Sequence, residues 1–352
     1  MTASVFSHSF LGALLGDEEL DSYFTAAAEL EAMLAFEVAL AEAEAAEGVI
    51  APAAATAIRA WTHEFTPDLA ELALGTARDG VVVPALLQQL RAGLDPAAAA
   101  ALHKGATSQD AIDAAMAMRM QAVSLVLDRR LEALVDAFAQ WGIEAGDRDV
   151  MAHTRMQAAR PTPFSRKLAS WTDPLVRCRL RREEIAPRAF ALRLGGAVGD
   201  RAELGDKADA IARRVADALG LSPAAASLHS ERDGIVDLAT WLSLVTGALG
   251  KFGQDAALAL QSEVGDMTLS GGGGSSAMPH KQNPVGAEVL VTLARFNATL
   301  VSGLHHALVH ENERSGAAWT LEWMLLPQMA LAAGAATRTA EDLLGRLSLR
   351  AE

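Results

Sequence analysis

The stretch ERDGIVDLATWLSLVTGALGKFGQDAALALQSEVGDM, residues 231–267, carries the clearest structural pattern in the chain. Its apolar side chains recur at alternating steps of three and four residues: Ile235, Leu238, Leu242, Val245, Leu249, Phe252 and Ala256. That spacing is typical of a helix with one apolar seam, as in a coiled coil. A helix over these residues would be roughly 50 Å long, so it needs partner helices of similar length.

Three further segments, 23–47, 108–141 and 162–190, also have helical patterns. Alternating β-branched residues are nearly absent, and the valine run 81–83 is too short for more than a local extended piece. The sequence therefore predicts an all-α protein built as a bundle of long helices. We expect an N-terminal helical domain over residues 1–100 and a central long-helix bundle over 101–352, with a boundary near PAAAAAL at 96–102.

Composition and charge exclude several classes of protein. The net charge is −14 and no Lys or Arg precedes Arg59, which argues against a nucleic-acid partner and leads us to expect no secretory signal. No uncharged apolar run reaches the length of a membrane span, about 18 residues. The single cysteine, Cys178, cannot form an internal disulfide. We expect it to be structural, in a protein of the reducing cytoplasm that binds no membrane.

Three polar segments interrupt the apolar pattern, and each is placed at a predicted helix end. The first polar segment is HKGATSQD, residues 103–110, and the second is HTRMQAARPTP, residues 153–163. Taken alone, each predicts no more than a capped helix start, although Thr107 and Ser108 stand where hydroxyls and free N–H groups can hold an anion.

The third polar segment, SGGGGSSAMPHKQNPVGAE at residues 270–288, is more specific. Its glycine run would suit a flexible linker or a loop that closes over a ligand. MPHKQNP, however, is not linker composition. The segment matches neither a phosphate-binding P-loop nor a GxSxG nucleophile elbow.

Together the segments resemble the fumarase/aspartase superfamily of lyases over nearly the whole chain. GSSAMPHKQNP, residues 274–284, matches the GSSxMPxKxNP signature loop of that superfamily without a break. HKGATSQD, LGGAVGDRAELG (194–205) and LHSERD (228–233) are similar to segments of its adenylosuccinate lyase branch. ERSGAAWTLEWMLLPQ, residues 313–328, is similar to a segment of the 3-carboxy-cis,cis-muconate cycloisomerases.

The resemblance implies a homotetramer whose long helices form a twenty-helix core. Each active site would be assembled from the three polar segments of three different subunits. Relatives of full length usually carry a further C-terminal helical domain. We expect that domain to be absent or vestigial here, because the chain ends soon after the helical pattern around 320–345.

The cycloisomerase resemblance implies lactonisation of 3-carboxy-cis,cis-muconate, a step of aromatic catabolism in the β-ketoadipate pathway. A substrate carboxylate adds to the molecule's own double bond and an acid protonates the neighbouring carbon, so no metal or redox cofactor is expected. By motif match, Ser275 is the acid/base, and Lys281 and Asn283 act beside it on a substrate carboxylate. The same match implies eleven residues that bind the small anionic substrate: His103, Lys104, Thr107, Ser108, Thr154, Arg155, Gln157, Ser276, Met278, His280 and Arg314.

One departure bears on the type of reaction. Where the lyases have RTHxQ, with the histidine as general acid, this chain has HTRMQ, so Arg155 stands at the histidine position. Arginine does not lose a proton at working pH. This disfavours an adenylosuccinate- or argininosuccinate-type lyase, which is the nearest competing function.

A helical scaffold without activity and a zinc hydrolase are two competing interpretations of a different kind. A non-catalytic helical scaffold would be expected to have lost Ser275, Lys281 or Asn283, and all three are present. A zinc hydrolase could use His306 and His310, but HExxH is not matched, so a solvated or core histidine pair is the favoured interpretation.

Overall fold

The bundle is formed by long helices packed side by side in a computed structural model that describes residues 4–274, 277–278 and 281–350. Its long helices are α8 (Ser108–Ala145), α9 (Phe164–Ala189), α11 (Asp233–Ala259), α12 (Val285–Ala307) and α13 (Gly316–Arg346). Helix α11 packs against α9, α12 and α13, and α8 packs against α9 and α13. The prediction of an all-α, long-helix bundle is confirmed.

Helix α11 contains the apolar seam, and every seam residue from Ile235 to Ala256 is buried. Glycine lets α12 approach closely, because a methyl group at Gly250 would lie 2.5 Å from the Cβ of Ala294. The helix is shorter than the predicted 231–267, since a turn closes through Gly265, whose φ is +61°. The chain then forms strand β3 (Met267–Leu269), which pairs antiparallel with β4 (Leu347–Leu349).

A β-hairpin joins α8 to α9 and corrects the interpretation of the second polar segment. Strands β1 (Asp149–Thr154) and β2 (Gln157–Pro163) pair antiparallel, so this segment is not a capped helix start. Arg155 and Met156 form the turn with φ of +49° and +65°. Two positive φ values are the geometry of a tight two-residue hairpin turn, which usually contains asparagine and glycine. A sequence pattern without those residues does not indicate such a turn.

Shorter elements pack around the long helices. The α-helices are α1 (Gly12–Leu15), α2 (Glu18–Asp21), α3 (Ala26–Ala46), α4 (Pro52–Glu64), α5 (Leu69–Asp79), α6 (Val83–Ala92), α7 (Pro96–Ala101) and α10 (Ala208–Leu219), with 3₁₀ turns at Ser22–Phe24 and Ala202–Lys207. Helix α3 packs on α8 and α10. The valine run 81–83 leads into α6 instead of forming a strand. The proposed domain boundary near residue 100 stays a prediction.

Two helices of the described chain, Asp233–Ala259 and Val285–Ala307, are long and apolar enough to cross a membrane by length and composition alone. The first is a core helix with 61% of its apolar window buried, against 28% for the second. The exposed side chains of the second include Glu288, Thr292, Arg295 and Ser302. A polar face of this kind favours water or another protein surface over lipid.

Cys178 lies in the core beside α11, where its carbonyl accepts a hydrogen bond from Trp241 Nε1 at 2.8 Å. Burial raises the pKa of its thiol, although Arg181 and Arg177 act in the opposite direction. A buried thiol with a raised pKa is poorly reactive, which agrees with the structural role expected for Cys178.

Candidate active site

Asp110 fixes the first polar segment at the start of α8. Its fully buried carboxylate accepts hydrogen bonds from Thr107 N (2.7 Å), Gly195 N (2.7 Å) and Gly196 N (3.0 Å). Nε2 of the buried His229 lies 2.6 Å from the same carboxylate. One carboxylate therefore gathers three segments of the sequence. Thr107, the N-cap, and Ser108, the first helical residue, are held on this frame at a helix N-terminus, which favours bound anions.

His103 and Lys104 turn toward the N-terminal helices. His103 Nδ1 lies 2.6 Å from Glu37 Oε1, and the histidine side chain is buried. Burial lowers the pKa of His103, but the Glu37 carboxylate raises it more, so the net shift is upward. Lys104 Nζ donates to the carbonyl of Val49 at 3.3 Å. Their predicted contact with substrate stays a prediction.

Arg314 contacts the first turn of α8. Its Nε donates to Gln109 Oε1 at 2.8 Å, and its Nη2 donates to the carbonyls of Gly196 (3.4 Å) and Ala197 (3.3 Å). The structure therefore brings Arg314 to the same end of the bundle as Thr107 and Ser108, as a site shared by these residues requires.

A buried ionic network holds the start of α13 against α8 and α11. Both carboxylate oxygens of Asp113 and both of Glu322 accept hydrogen bonds from Arg232, whose side chain is 1% exposed. Trp319 Nε1 also donates to Asp113, at 3.0 Å. Burial raises the pKa of Asp113, but Arg232 outweighs it and keeps that pKa below its ordinary value. Breaking one partner of such a buried network is strongly destabilising.

The second polar segment presents its side chains around the hairpin turn. Thr154 and Gln157 are cross-strand partners that flank Arg155 and Met156, and all four are exposed. The hairpin forms one wall of a cavity of about 510 Å³ against α9 and α11. Most of the ionisable side chains that line it are basic: His153, Arg155, Arg166, Lys167 and Lys251. The acidic ones are Asp255, which is paired with Lys251, and Asp266. The excess of basic side chains around the cavity suits a small anion.

The third polar segment is closed at its base by backbone pairing. Gly273 and Asn283 exchange two hydrogen bonds of 2.9 and 2.8 Å. Asn283 Nδ2 donates to Gly274 O at 3.4 Å, and Lys281 N donates to Met278 O at 3.0 Å. Arg346 donates to the carbonyls of Ser270 and Gly271 at the base of the segment. The predicted Ser275, Ser276 and His280 lie outside the described residues.

The predicted site residues fall into two groups at opposite ends of the bundle. Helix α8 has 38 residues and is therefore about 57 Å long. At its start lie Thr107, Ser108 and Arg314. Beyond its end, Arg148 donates to the carbonyl of Arg350, and Arg350 N donates to Asp266 O. The second and third polar segments lie at that end, so the structure does not bring all three segments together within one chain.

The histidine pair does not form a metal site in the described part of the chain. No three His, Cys, Asp or Glu side chains there are grouped to hold a metal ion. The buried side chain of His310 lies 3.4 Å from Glu322 Oε1, whereas His306 is exposed on α12. His310 is therefore a core histidine and His306 a solvated one.

Sequence reasoning missed the residues that hold the first polar segment in place. Gln109, Asp110 and Asp113 lie inside or next to that segment, and His229 and Arg232 lie inside LHSERD. The resemblance marks LHSERD as a family segment, but it assigns no role to His229 or Arg232. The available signal was the presence of a histidine, an arginine and acidic residues in an apolar chain, because such side chains are seldom buried unless they are paired.

Comparison with known proteins gives the family. The chain matches the lyase family over residues 17–298. The 3-carboxy-cis,cis-muconate cycloisomerase of Pseudomonas putida is 38% identical over 337 residues, which are 91% of this chain and 80% of that protein. The enzyme of the same name from Pseudomonas aeruginosa is 37% identical, over 94% of this chain and 76% of that protein.

A solved structure gives the same answer. The crystal structure of the 3-carboxy-cis,cis-muconate lactonizing enzyme from Pseudomonas putida matches with a TM-score of 0.90 and 34% identity, covering 97% of this chain and 78% of that one. The chain therefore belongs to the lyase family, the fumarase/aspartase superfamily that its motifs indicated. The likeness to its cycloisomerase branch is confirmed as well.

Proposed function

We propose that the protein is an enzyme that lactonises 3-carboxy-cis,cis-muconate, as a soluble cytoplasmic step of aromatic catabolism by the β-ketoadipate route. The observation that carries this proposal is the 38% identity to the Pseudomonas putida cycloisomerase over 80% of that protein's length. The solved lactonizing enzyme supports it through a fold shared over 97% of this chain.

The reaction we propose is an isomerisation that needs one proton donor. An oxygen of a substrate carboxylate forms a bond to one carbon of the double bond, and the electron pair of that double bond moves toward the neighbouring carboxylate. Ser275 then delivers a proton to the carbon that bears this carboxylate, which gives the lactone with no substrate atom lost. The Ser275 alkoxide takes a proton back from water before the next turnover. Preorganised donors around the charged intermediate would supply much of the rate enhancement, and a positioned proton donor about 10²–10⁴-fold more.

The electrostatic arrangement supports a trianionic substrate. The protein as a whole has a net charge of −14, so local cations must overcome the repulsion of the global field. Arg155, Arg166 and Lys167 line one cavity, together with Lys251, which is paired with Asp255. Arg314 has no carboxylate partner among the described residues, and it lies against the start of α8. Cations without carboxylate partners are the ones that can bind substrate carboxylates.

Arg155 supports lactonisation over cleavage of a succinyl adduct. It lies at the tip of the hairpin with its side chain exposed. A guanidinium can bind a carboxylate through two parallel hydrogen bonds but cannot protonate a departing amine. The nucleophile of the lactonisation is already a free carboxylate, so no proton donor for a leaving group is needed.

We further propose that the sites form between the subunits of a homotetramer. The first polar segment and the other two lie at opposite ends of a helix about 57 Å long, so a complete site requires more than one chain. Large apolar side chains are exposed on the long helices, where partner helices would cover them: Leu125, Val176, Leu180, Leu244 and Met324. Exposed apolar surface of this kind marks protein interfaces.

The direct test is a spectrophotometric assay in which purified protein is mixed with 3-carboxy-cis,cis-muconate and loss of the diene absorbance is followed. We expect turnover that survives exhaustive chelation, with no detectable cleavage of adenylosuccinate or argininosuccinate in parallel assays. Cleavage of either at a rate comparable to lactonisation would show that the protein is a lyase instead. Loss of turnover on chelation, restored by zinc, would contradict the metal-free chemistry.

A further inference from the structure

Gln109 is a buried amide whose orientation is fixed by its neighbours. Its side chain is inaccessible to solvent, in the first turn of α8. Oε1 accepts from Arg314 Nε at 2.8 Å, while Nε2 donates to the carbonyl of His229 at 2.9 Å and to Asp113 Oδ2 at 3.3 Å. Arginine has only donors and a carbonyl only accepts, so the amide cannot be flipped without losing both contacts.

The contact with Gln109 determines which part of the Arg314 guanidinium is left for a ligand. Nε is directed at the Gln109 oxygen and Nη2 at two loop carbonyls, Gly196 O and Ala197 O. Nη1 has no hydrogen-bond partner within residues 4–274, 277–278 and 281–350. The planar guanidinium is therefore held by two of its nitrogens, and the third is presented beside the start of α8.

The charge of Arg314 is also not compensated by a protein carboxylate, in contrast to its neighbour Arg232. Arg232 forms ion pairs with both Asp113 and Glu322 and is 1% exposed. Arg314 is half-buried, and its partners in the described chain are an amide oxygen and two carbonyls. Neutral acceptors orient the guanidinium without neutralising it, so its full charge stays available to an anion.

We infer that Gln109 is a positioning residue that aims Arg314 at one carboxylate of the substrate, next to Thr107 and Ser108. This inference rests on the proposed function, because it names the part of that site which binds a substrate carboxylate. Gln109 is itself shielded from solvent, so its effect passes through Arg314. The consequence is an effect on substrate binding that exists only while Arg314 is present.

The test is a double-mutant cycle of Gln109→Met and Arg314→Met, assayed with 3-carboxy-cis,cis-muconate. Methionine keeps the length of glutamine and removes both of its hydrogen-bonding groups. We expect Gln109→Met to raise KM by about tenfold or more, since a hydrogen bond to a charged group is lost, with kcat within about threefold of the parent. In the Arg314→Met background the same change should alter KM by less than about twofold.

Gln121→Met is the matched control on the same helix. Gln121 also donates a side-chain hydrogen bond to a carbonyl, that of Gly220 at 3.1 Å, but far from Arg314. It should leave KM and kcat unchanged. Equal effects of Gln109→Met with and without Arg314, or an unchanged KM in the single variant, would overturn the inference.

Arg314→Lys covers the case in which Gln109→Met does not fold. Lysine keeps the positive charge but has no planar fork to be aimed by the amide oxygen. We expect KM to rise by about tenfold or more here too, and a KM equal to that of the parent would overturn the inference. The proposed function fails separately, and only if the parent protein itself does not turn over the substrate.

Discussion

The residue on which the proposed chemistry depends is Ser275. We expect Ser275→Ala to lower kcat by several orders of magnitude, because the motif match assigns the proton transfer to the Ser275 hydroxyl. Helical content by circular dichroism and the assembly state should not change, since the substitution removes one oxygen. Activity within tenfold of the parent would remove Ser275 from its role.

By the motif match, Arg155 stands where adenylosuccinate-type lyases have a histidine. Arg155→His should raise the KM for 3-carboxy-cis,cis-muconate through loss of a two-point carboxylate contact worth about 1.5–3 kcal/mol. It should not create adenylosuccinate cleavage, because a histidine alone does not reshape the pocket. Steady-state kinetics on both substrates checks this. An unchanged KM would mean that Arg155 points away from the substrate.

Some contacts of single residues can be predicted from the sequence, and others cannot. Thr107 was predictable as a helix cap because capping is local: the cap and the amide that it faces lie within one turn of sequence. The contacts of Gln109 with Arg314 and of Asp110 with His229 join residues that are 205 and 119 positions apart. No local pattern encodes such a pair. The motif match predicted Arg314 as a site residue, but it did not identify the side chain that orients it.

Helix α3 contains a carboxyl group that should make stability depend on pH. Glu44 is fully buried, neither of its carboxylate oxygens has a hydrogen-bond partner, and burial raises its pKa from 4.5 to about 8. Between these two values the folded chain holds a proton that the unfolded chain has released. Stability therefore falls as pH rises through this window and is lowest above it.

We expect Glu44→Gln to flatten that dependence. The variant should melt several degrees above the parent at pH 9, and close to it below pH 4.5, where the carboxyl is neutral in both states. Glu31→Gln, on the exposed face of the same helix, is the matched control and should follow the parent. The measurement is the melting temperature of each protein across the pH range. If the melting temperatures of Glu44→Gln and the parent change in parallel with pH, the expectation is wrong.

The glycine run of the third polar segment consists of positions with different steric demands. A methyl group at Gly273 would lie 2.7 Å from Val285 Cγ2, at the start of α12, whereas one at Gly274 would meet nothing within 4 Å. We expect Gly273→Ala to lower kcat about tenfold or more by displacing the segment, and Gly274→Ala to retain most of the activity. Steady-state kinetics of the two variants compares the same glycine-to-alanine change at two neighbouring positions. Equal losses would mean that flexibility, not close packing, explains the glycines.

Long helices with a sustained apolar repeat were predicted well, and short elements were predicted poorly. The seam of α11 runs through three heptads, and each of its residues is buried as expected. The end of that helix and the hairpin of β1 and β2 were missed. A turn through Gly265, or one formed by Arg155 and Met156, is decided by a few backbone angles and by long-range packing rather than by a repeated pattern.

At the scale of the whole molecule, the separation of the polar segments is the main constraint on function. Helix α13 begins two residues after Arg314, which lies beside the start of α8, and ends at Arg346, which donates to the base of the third polar segment. Its 31 residues span about 46 Å. Two long helices thus hold the first and third segments apart. One chain with this bundle cannot bring them together, and this is the geometric reason for our proposal that the sites are shared between subunits.

This constraint predicts complementation between two inactive proteins. One variant carries Ser275→Ala and the other carries Thr107→Ala with Ser108→Ala, so that the lesions lie at opposite ends of the bundle. After subunit exchange in mixed tetramers, about a quarter of the sites should combine an intact first segment with an intact third segment. Activity should therefore return to about a quarter of the parent level. Light scattering should show a tetramer before and after mixing.

The matched control mixes Ser275→Ala with Lys281→Ala, two lesions within the third polar segment. A site that takes this whole segment from one subunit always contains one of the two lesions, so no activity should return. Recovery in the first mixture and none in the control is the pattern that only a shared site produces. If neither mixture recovers, or if the active species is a monomer, the site must form within one chain. The separation of the segments along α8 and α13 would then have to close by a large rearrangement of the bundle.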